Sequence, residues 1–314
     1  MRRISRRVVV GVAAAALLTL WGVLAHATTP RTEGLEPQWA TDALEGEVVG
    51  LALLSGDHTA VDLVTGKRIT LGSATGGTPY VGNGILIITR GTRVDAATLD
   101  AKTRWSWTAP AGTTPTPLAA RNGTTILGTC PTATDPDGGC ALVGLDTQGK
   151  QAWRIEANGP VTPPAGRALP AVLASPVAGG GVLVTDPVSG RQTLQPGKVA
   201  ATAPDGTVVL TAEQGGKCVL SRFTGPDPER TQVLDRCPAD PVASDVRVVT
   251  TRHTTPLNPL RWGRTTTVLR LELTTGKELG QVAGTGRLEP LLLTPEAVVV
   301  RTGDEIVRHA IPRR

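Results

Sequence analysis

Aromatic residues are nearly missing from this 314-residue chain, which has one Phe, one Tyr and six Trp. Too few rings are available to stack successive bases, so no nucleic-acid partner is expected. Cysteine is scarce as well: there are four, none in a Cys-x-x-Cys and none with a histidine close by, which leaves no zinc pattern. No G-x-S-x-G elbow, P-loop or G-x-G-x-x-G follows a strand-like run, which removes the commonest hydrolase and nucleotide signatures. Long helical faces are also absent. After residue 34 no stretch carries a sustained 3.6-residue apolar period, and Gly, Pro and Thr punctuate throughout. The surplus of positive charge is smaller than it first looks. Arg2, Arg3, Arg6 and Arg7 hold four of the five net charges, and one remains for residues 8–314, so the basic pI implies no polyanion partner.

What the chain does have is a recurring unit. In Ala141-Leu-Val-Gly-Leu-Asp146-Thr-Gln-Gly149-Lys150-Gln-Ala-Trp153, an alternating apolar run ends in an aspartate, a Gly-Lys turn follows, and a tryptophan opens the next run. The aspartate can accept backbone N–H groups two residues on, and the glycine tolerates the positive φ such turns need. Trp153 offers a large apolar plate and is expected to be buried between repeats. Weaker copies are Val61-Asp62-Leu-Val-Thr-Gly66-Lys67, Leu99-Asp100-Ala-Lys-Thr-Arg104-Trp105, Thr185-Asp186-Pro-Val-Ser-Gly190-Arg191 and Leu271-Glu272-Leu-Thr-Thr-Gly276-Lys277. Their turn acids are 38, 46, 40 and 86 residues apart. The last gap holds two units, with a degenerate turn near Gly225–Glu229. A period of about 40 residues with several strands per repeat points to a β-propeller.

The unit resembles the repeat of the pyrroloquinoline-quinone (PQQ) dehydrogenase-like propellers, roughly A-x-D-x-x-T-G-K followed by x-x-W. The resemblance covers nearly everything after residue 34, with Asp146–Trp153 as its best copy. It implies an all-β, seven-bladed propeller over residues 35–314. The blades are laid out as 43–72, 78–109, 116–158, 160–196, 198–237, 241–283 and 287–312, each running from strand A to strand D. The last supplies only three strands, Leu291–Leu293, Val298–Val300 and Glu305–Ala310. Gln38-Trp39-Ala40-Thr41 reads as the missing fourth, pairing onto Glu305–Ala310 and covering its edge.

Residues 1–27 read as a targeting segment rather than part of the fold, followed by a linker at 28–34. Four arginines precede Val8–Ala27, twenty uncharged residues, long enough to cross a bilayer with the remainder outside the cytoplasm. Ala25-His26-Ala27 is an acceptable cleavage site, so a retained membrane anchor and a removed signal peptide both stand. An oxidising compartment suits the cysteines. Cys130 ends a B strand and Cys140 begins the next, while Cys218 begins a C strand and Cys237 ends a D strand. Disulfides Cys130–Cys140 and Cys218–Cys237 are therefore expected.

Chemistry is hard to place. Enzymes that share the PQQ-type repeat commonly add calcium ligands on the ring axis and an adjacent Cys-Cys pair. This chain has no such pair and no evident inner carboxylate set, so no cofactor is expected, PQQ included, and no metal. A glycosidase needs two converging carboxylates, which a sequence cannot display. A sialidase needs a catalytic tyrosine, and Tyr80 sits beside Pro79. Asp135-Pro-Asp137-Gly138-Gly139 lacks the later ligands of a calcium loop and reads as a hairpin turn. His58, His253 and His309 are far apart and read as surface or half-buried strand residues. No catalytic residue is assigned.

Strand order places the candidate site. In a four-stranded meander the B–C and D–A connections share one face, and there two B–C loops are elaborated, Pro131–Gly139 and Arg252–Arg264. The second carries Arg252, His253, Arg261, Trp262 and Arg264, residue types that dominate binding hot spots. By resemblance to PQQ-repeat proteins that act as assembly scaffolds in bacterial envelopes, the chain is expected to be a non-catalytic binding module. Its partner would be an envelope protein or extracellular ligand, with the membrane reached through residues 8–27. A propeller enzyme, quinoprotein or glycosidase, is the alternative.

Overall fold

Short apolar runs separated by tight turns leave each hairpin with two faces to cover, and the chain answers by building sheet after sheet. The computed structural model describes residue 19 and residues 30–56, 59–70, 76–100, 102–131, 139–157, 161, 164, 166–241, 246–254 and 265–312. Its regular elements are all strands. They form seven antiparallel sheets, each following chain order apart from the N-terminal strand. Contacts divide the chain into two compact units, Leu44–Ala243 and a second made of Met1–Ala43 with Ser244–Arg314. The expected targeting segment falls outside the described residues except for Thr19. Among the described residues no helix is long and apolar enough to cross a membrane.

The chain opens with β1 (Glu36–Asp42), which belongs to the last sheet. Sheet 1 follows with β2 (Glu47–Val49), β3 (Ala52–Leu54), β4 (Thr59–Asp62) and β5 (Arg68–Thr70). Sheet 2 is β6 (Thr78–Gly82), β7 (Ile85–Arg90), β8 (Arg93–Thr98) and β9 (Arg104–Thr108). Sheet 3 is β10 (Thr113–Arg121), β11 (Thr124–Pro131), β12 (Ala141–Leu145) and β13 (Gln151–Glu156). Sheet 4 has three strands, β14 (Leu173–Pro176), β15 (Val182–Thr185) and β16 (Gln192–Gln195). Sheet 5 completes the first unit with β17 (Lys198–Thr202), β18 (Val208–Gln214), β19 (Lys217–Phe223) and β20 (Arg230–Leu234).

Within this unit the second and third strands are the driest. Ile85, Leu86, Ile87 and Ile88 of β7 are all fully buried, as are Ile126 and Leu127 of β11. Runs apolar on both faces need cover on both faces, which neighbouring sheets provide. One core cluster joins Ile85, Val94 and Trp105 of sheet 2 to Leu127, Val143 and Leu145 of sheet 3. Sheet 4 departs from the four-strand layout expected for 160–196. Its would-be first strand does not pair with β14, and a cavity of about 270 Å3 lies between sheets 3 and 4, lined in part by Leu118, Leu142, Leu173 and Leu183.

The second unit holds two sheets. Sheet 6 is β21 (Val246–Thr254), β22 (Thr265–Leu273) and β23 (Glu278–Thr285). Sheet 7 is β24 (Leu288–Leu293), β25 (Ala297–Thr302) and β26 (Glu305–Ala310), completed by β1. The N-terminal strand pairs as the sequence predicts, from Glu36 opposite Ala310 to Asp42 opposite Glu305, with an irregularity between Pro37 and Trp39. Just before it, the stretch expected as a linker is tied down in its described part. Glu33 exchanges both backbone hydrogen bonds with Gln281 of β23, and the Ala283 N–H donates to Thr32 Oγ1. A dozen residues near the N-terminus thus cover the open edges of two consecutive sheets. The cluster beneath them joins Leu35, Leu269, Leu271, Val298 and Val300.

Candidate functional site

The repeat turns show first what their residues do. Asp146 Oδ1 accepts the backbone N–H of Gln148 and of Lys150, both at 2.9 Å, and Asp186 Oδ2 accepts the Ser189 hydroxyl at 2.7 Å. Asp62 repeats the arrangement with Val64 N–H and the Thr65 hydroxyl. These carboxylates are occupied in turn formation, as the recurrence predicts. The Arg121 guanidinium, at the β10–β11 turn of sheet 3, donates to Asp186 Oδ1 of sheet 4 at 3.0 Å and lies against Gly225 of sheet 5. First-to-second and third-to-fourth turns therefore share one face in this unit, which leaves the other face to the second-to-third loops.

Two acids have shifted protonation. Burial pushes Asp95 up, but the Ser106 hydroxyl and the Arg93 and Arg90 guanidinium groups outweigh it and hold the carboxyl below its ordinary value. Asp100, in the turn of sheet 2, is lowered to about 2 by hydrogen bonds from Thr98 and Lys102. Both carboxylates are charged and locally paired, which suits structure and not proton transfer.

The interior of the first unit carries an unexpected feature. Residues 167–171 leave sheet 4 and bond to the inner strands and turns of its neighbours. Val81 of β6 takes a hydrogen bond from Leu169 N–H and gives one to Arg167 O; Ala120 of β10 donates to Pro170 O; Ala171 donates to Gly206 O, in the β17–β18 turn. Ala168 lies 3.7 Å from a Cβ placed on Gly50, beside β2, and Arg167 forms an ion pair with Glu47 of β2. One five-residue segment so touches sheets 1, 2, 3 and 5, with Leu169 and Ala171 buried. A methyl on Gly82 would come within 2.5 Å of Leu169 Cβ, so the packing is tight. Glu47, exposed on β2, is spent on its ion pair with Arg167.

Both expected disulfides are present. Cys130 and Cys140 have Cα atoms 4.2 Å apart at the base of the β11–β12 loop; Cys218 and Cys237 are 5.1 Å apart at the start of β19 and beyond β20. The loop above the first, from 132 to 138, lies outside the described residues.

At the corresponding end of sheet 6 the structure places Arg252 and His253, both exposed, near the C-terminal end of β21. His253 Nε2 is 3.2 Å from the Thr251 hydroxyl. Arg261, Trp262 and Arg264 lie outside the described residues. Arg252 opens onto a cleft of about 520 Å3 shared with Thr265, Thr267, Thr285, Gly286 and Arg287. Sequence reading missed Arg287, and the signal for it was present: it follows Gly286 in the connection from sheet 6 to sheet 7, on the same side as the elaborated loop. His309 also differs from expectation. It is buried, its Nδ1 finds no partner among the described residues, and burial lowers its pKa. Among the described residues no three His, Cys, Asp or Glu side chains gather as metal ligands.

No family model matches the chain, and no curated protein does. Solved structures do. BamB from Moraxella catarrhalis matches at 13% identity over 87% of this chain and 85% of its own, with a TM-score of 0.27. Dihydro-heme d1 dehydrogenase NirN, solved in complex with DHE, matches at 14% identity over 88% and 62%, with a TM-score of 0.31. The Dos1 propeller matches at 10% identity over 89% and 96%, with a TM-score of 0.32. Superpositions this loose carry no argument about ligand, partner or reaction, and the fold reading rests on the repeated turns and the sheets themselves.

Proposed function

We infer that the chain is an extracytoplasmic, non-catalytic binding scaffold. Its seven sheets are the blades of one propeller over residues 35–314, tethered through residues 8–27 or secreted after cleavage near Ala27. The observation that supports this reading is that residues 167–171 bond to Val81 of β6, Ala120 of β10 and Gly206 in the first unit, with Leu169 and Ala171 buried against the inner strands. The arginines before an uncharged stretch and the two disulfides support an oxidising compartment. The binding end is the one bearing Arg252, His253, Arg261, Trp262 and Arg264, and the partner is an envelope protein or extracellular ligand. No observation favours the alternative of a quinoprotein or glycosidase.

The test is capture of cross-linked partners from membranes by the full chain, compared with Trp262→Ala and with Arg261→Ala/Arg264→Ala. The same partner should be recovered by the wild type and lost or weakened in both variants, at an unchanged melting temperature. Full capture by the variants would move the binding end elsewhere.

A further inference from the structure

The cleft at the end of sheet 6 has a chemistry of its own. Among the described residues, Arg252 and Arg287 line it and no Asp or Glu does. Elsewhere in the same unit arginines meet acids: Arg247 with Glu272, Arg270 with Glu278, Arg301 with Glu289. Neither Arg252 nor Arg287 has an acidic partner among the described residues. Guanidinium groups stay charged at any physiological pH and carry five donors with no acceptor, so two of them facing one cleft repel until an anion separates them.

Their placement is built rather than accidental. Thr267 of β22 lies directly opposite Arg252 of β21, and its buried hydroxyl donates to Gly286 O at 2.5 Å. Gly286 has φ +91 and its N–H donates to Thr265 O. That conformation is open to glycine and strained for other residues. On the far side of Arg287, Leu288 is buried and packs against Gly284. Arg287 is therefore held between a pinned glycine and a buried leucine, and one threonine ties its backbone to the strand pair carrying Arg252.

We propose that this cleft is an oxyanion site, in which Arg252 and Arg287 together clamp a carboxylate or phosphate group borne by a ligand. The planar fork of each guanidinium matches the paired oxygens of either group. The site deepens the scaffold reading by giving its binding end a ligand chemistry, yet it can be tested with no partner in hand. The purified full chain is titrated calorimetrically with sodium phosphate and, separately, with a triglutamate peptide, at matched ionic strength. Saturable binding of at least one probe is expected. Arg252→Gln and Arg287→Gln should each weaken it about ten-fold or more, and the double variant should abolish it, while Arg104→Gln on β9 leaves it unchanged. Phosphate binding alone assigns a phosphorylated ligand, and peptide binding alone a carboxylate. If neither probe binds saturably, or if the double variant binds as the wild type does, the site is refuted. Intact partner capture alongside that outcome would leave the scaffold reading standing without it.

Discussion

The Trp105 ring of sheet 2 meets Gly149 in the turn of sheet 3, and the Trp153 ring of sheet 3 meets Gly190 in the turn of sheet 4. Trp153 also donates its indole N–H to Pro187 O at 3.0 Å. It is half-buried, less than the repeat predicts. Gly149 and Gly190 are thus each crowded by the tryptophan of the repeat before, whereas a methyl on Gly276, which follows a fourth strand without tryptophan, would meet nothing within 4 Å. Gly149 and Gly112 share φ +77, but a methyl on Gly149 would lie 2.8 Å from the Trp105 ring, whereas one on Gly112 meets nothing within 4 Å. Gly112→Ala should therefore cost about 1 kcal/mol for the left-handed backbone alone, and Gly149→Ala about 2–4 kcal/mol once crowding is added. Chemical denaturation measures both. Equal losses would mean that the ring does not press on the turn.

Elements differed in how plainly the sequence announced them. β1 was legible because Gln38–Thr41 carries a tryptophan-bearing strand with no turn before it, and the final repeat lacked a strand. The disulfides were legible because each cysteine sits at the end of a strand whose order was already known. Residues 167–171 were not legible. Arg-Ala-Leu-Pro-Ala reads as an ordinary first strand, and only Pro170, which has no N–H to give a ladder, hints that its bonds go elsewhere. The candidate site was half legible: the long loop marked Arg252, while Arg287 sits in a short connection that only the strand order places on the same side. In sheet 7, His309 lies opposite Pro37 of β1 and Val298 of β25, buried and neutral. Its folded pKa lies below the ordinary 6.5, so the unfolded chain binds the proton more readily once the pH falls below that value. Stability should decline on acidification from pH 7.5 to 5.5 and recover as the pH rises. His309→Leu should flatten that decline, as read from melting temperatures across the series. An equally steep decline in the variant would assign the effect to other groups.

At the scale of the whole molecule, the proposed scaffold keeps a PQQ-type repeat for its packing and binds without the cofactor. In the first unit the Asp-Gly turns and their tryptophans join sheet to sheet, and residues 167–171 bond to the inner strands β6 and β10. On the proposed reading, binding falls to the loop ends. The most direct measurement is a spectroscopic titration of the purified full chain with PQQ and calcium, followed by an assay for reduction of an electron-accepting dye. The scaffold reading predicts no shift in the quinone absorption and no dye reduction at any ratio. A saturable spectral shift accompanied by dye reduction would contradict the account.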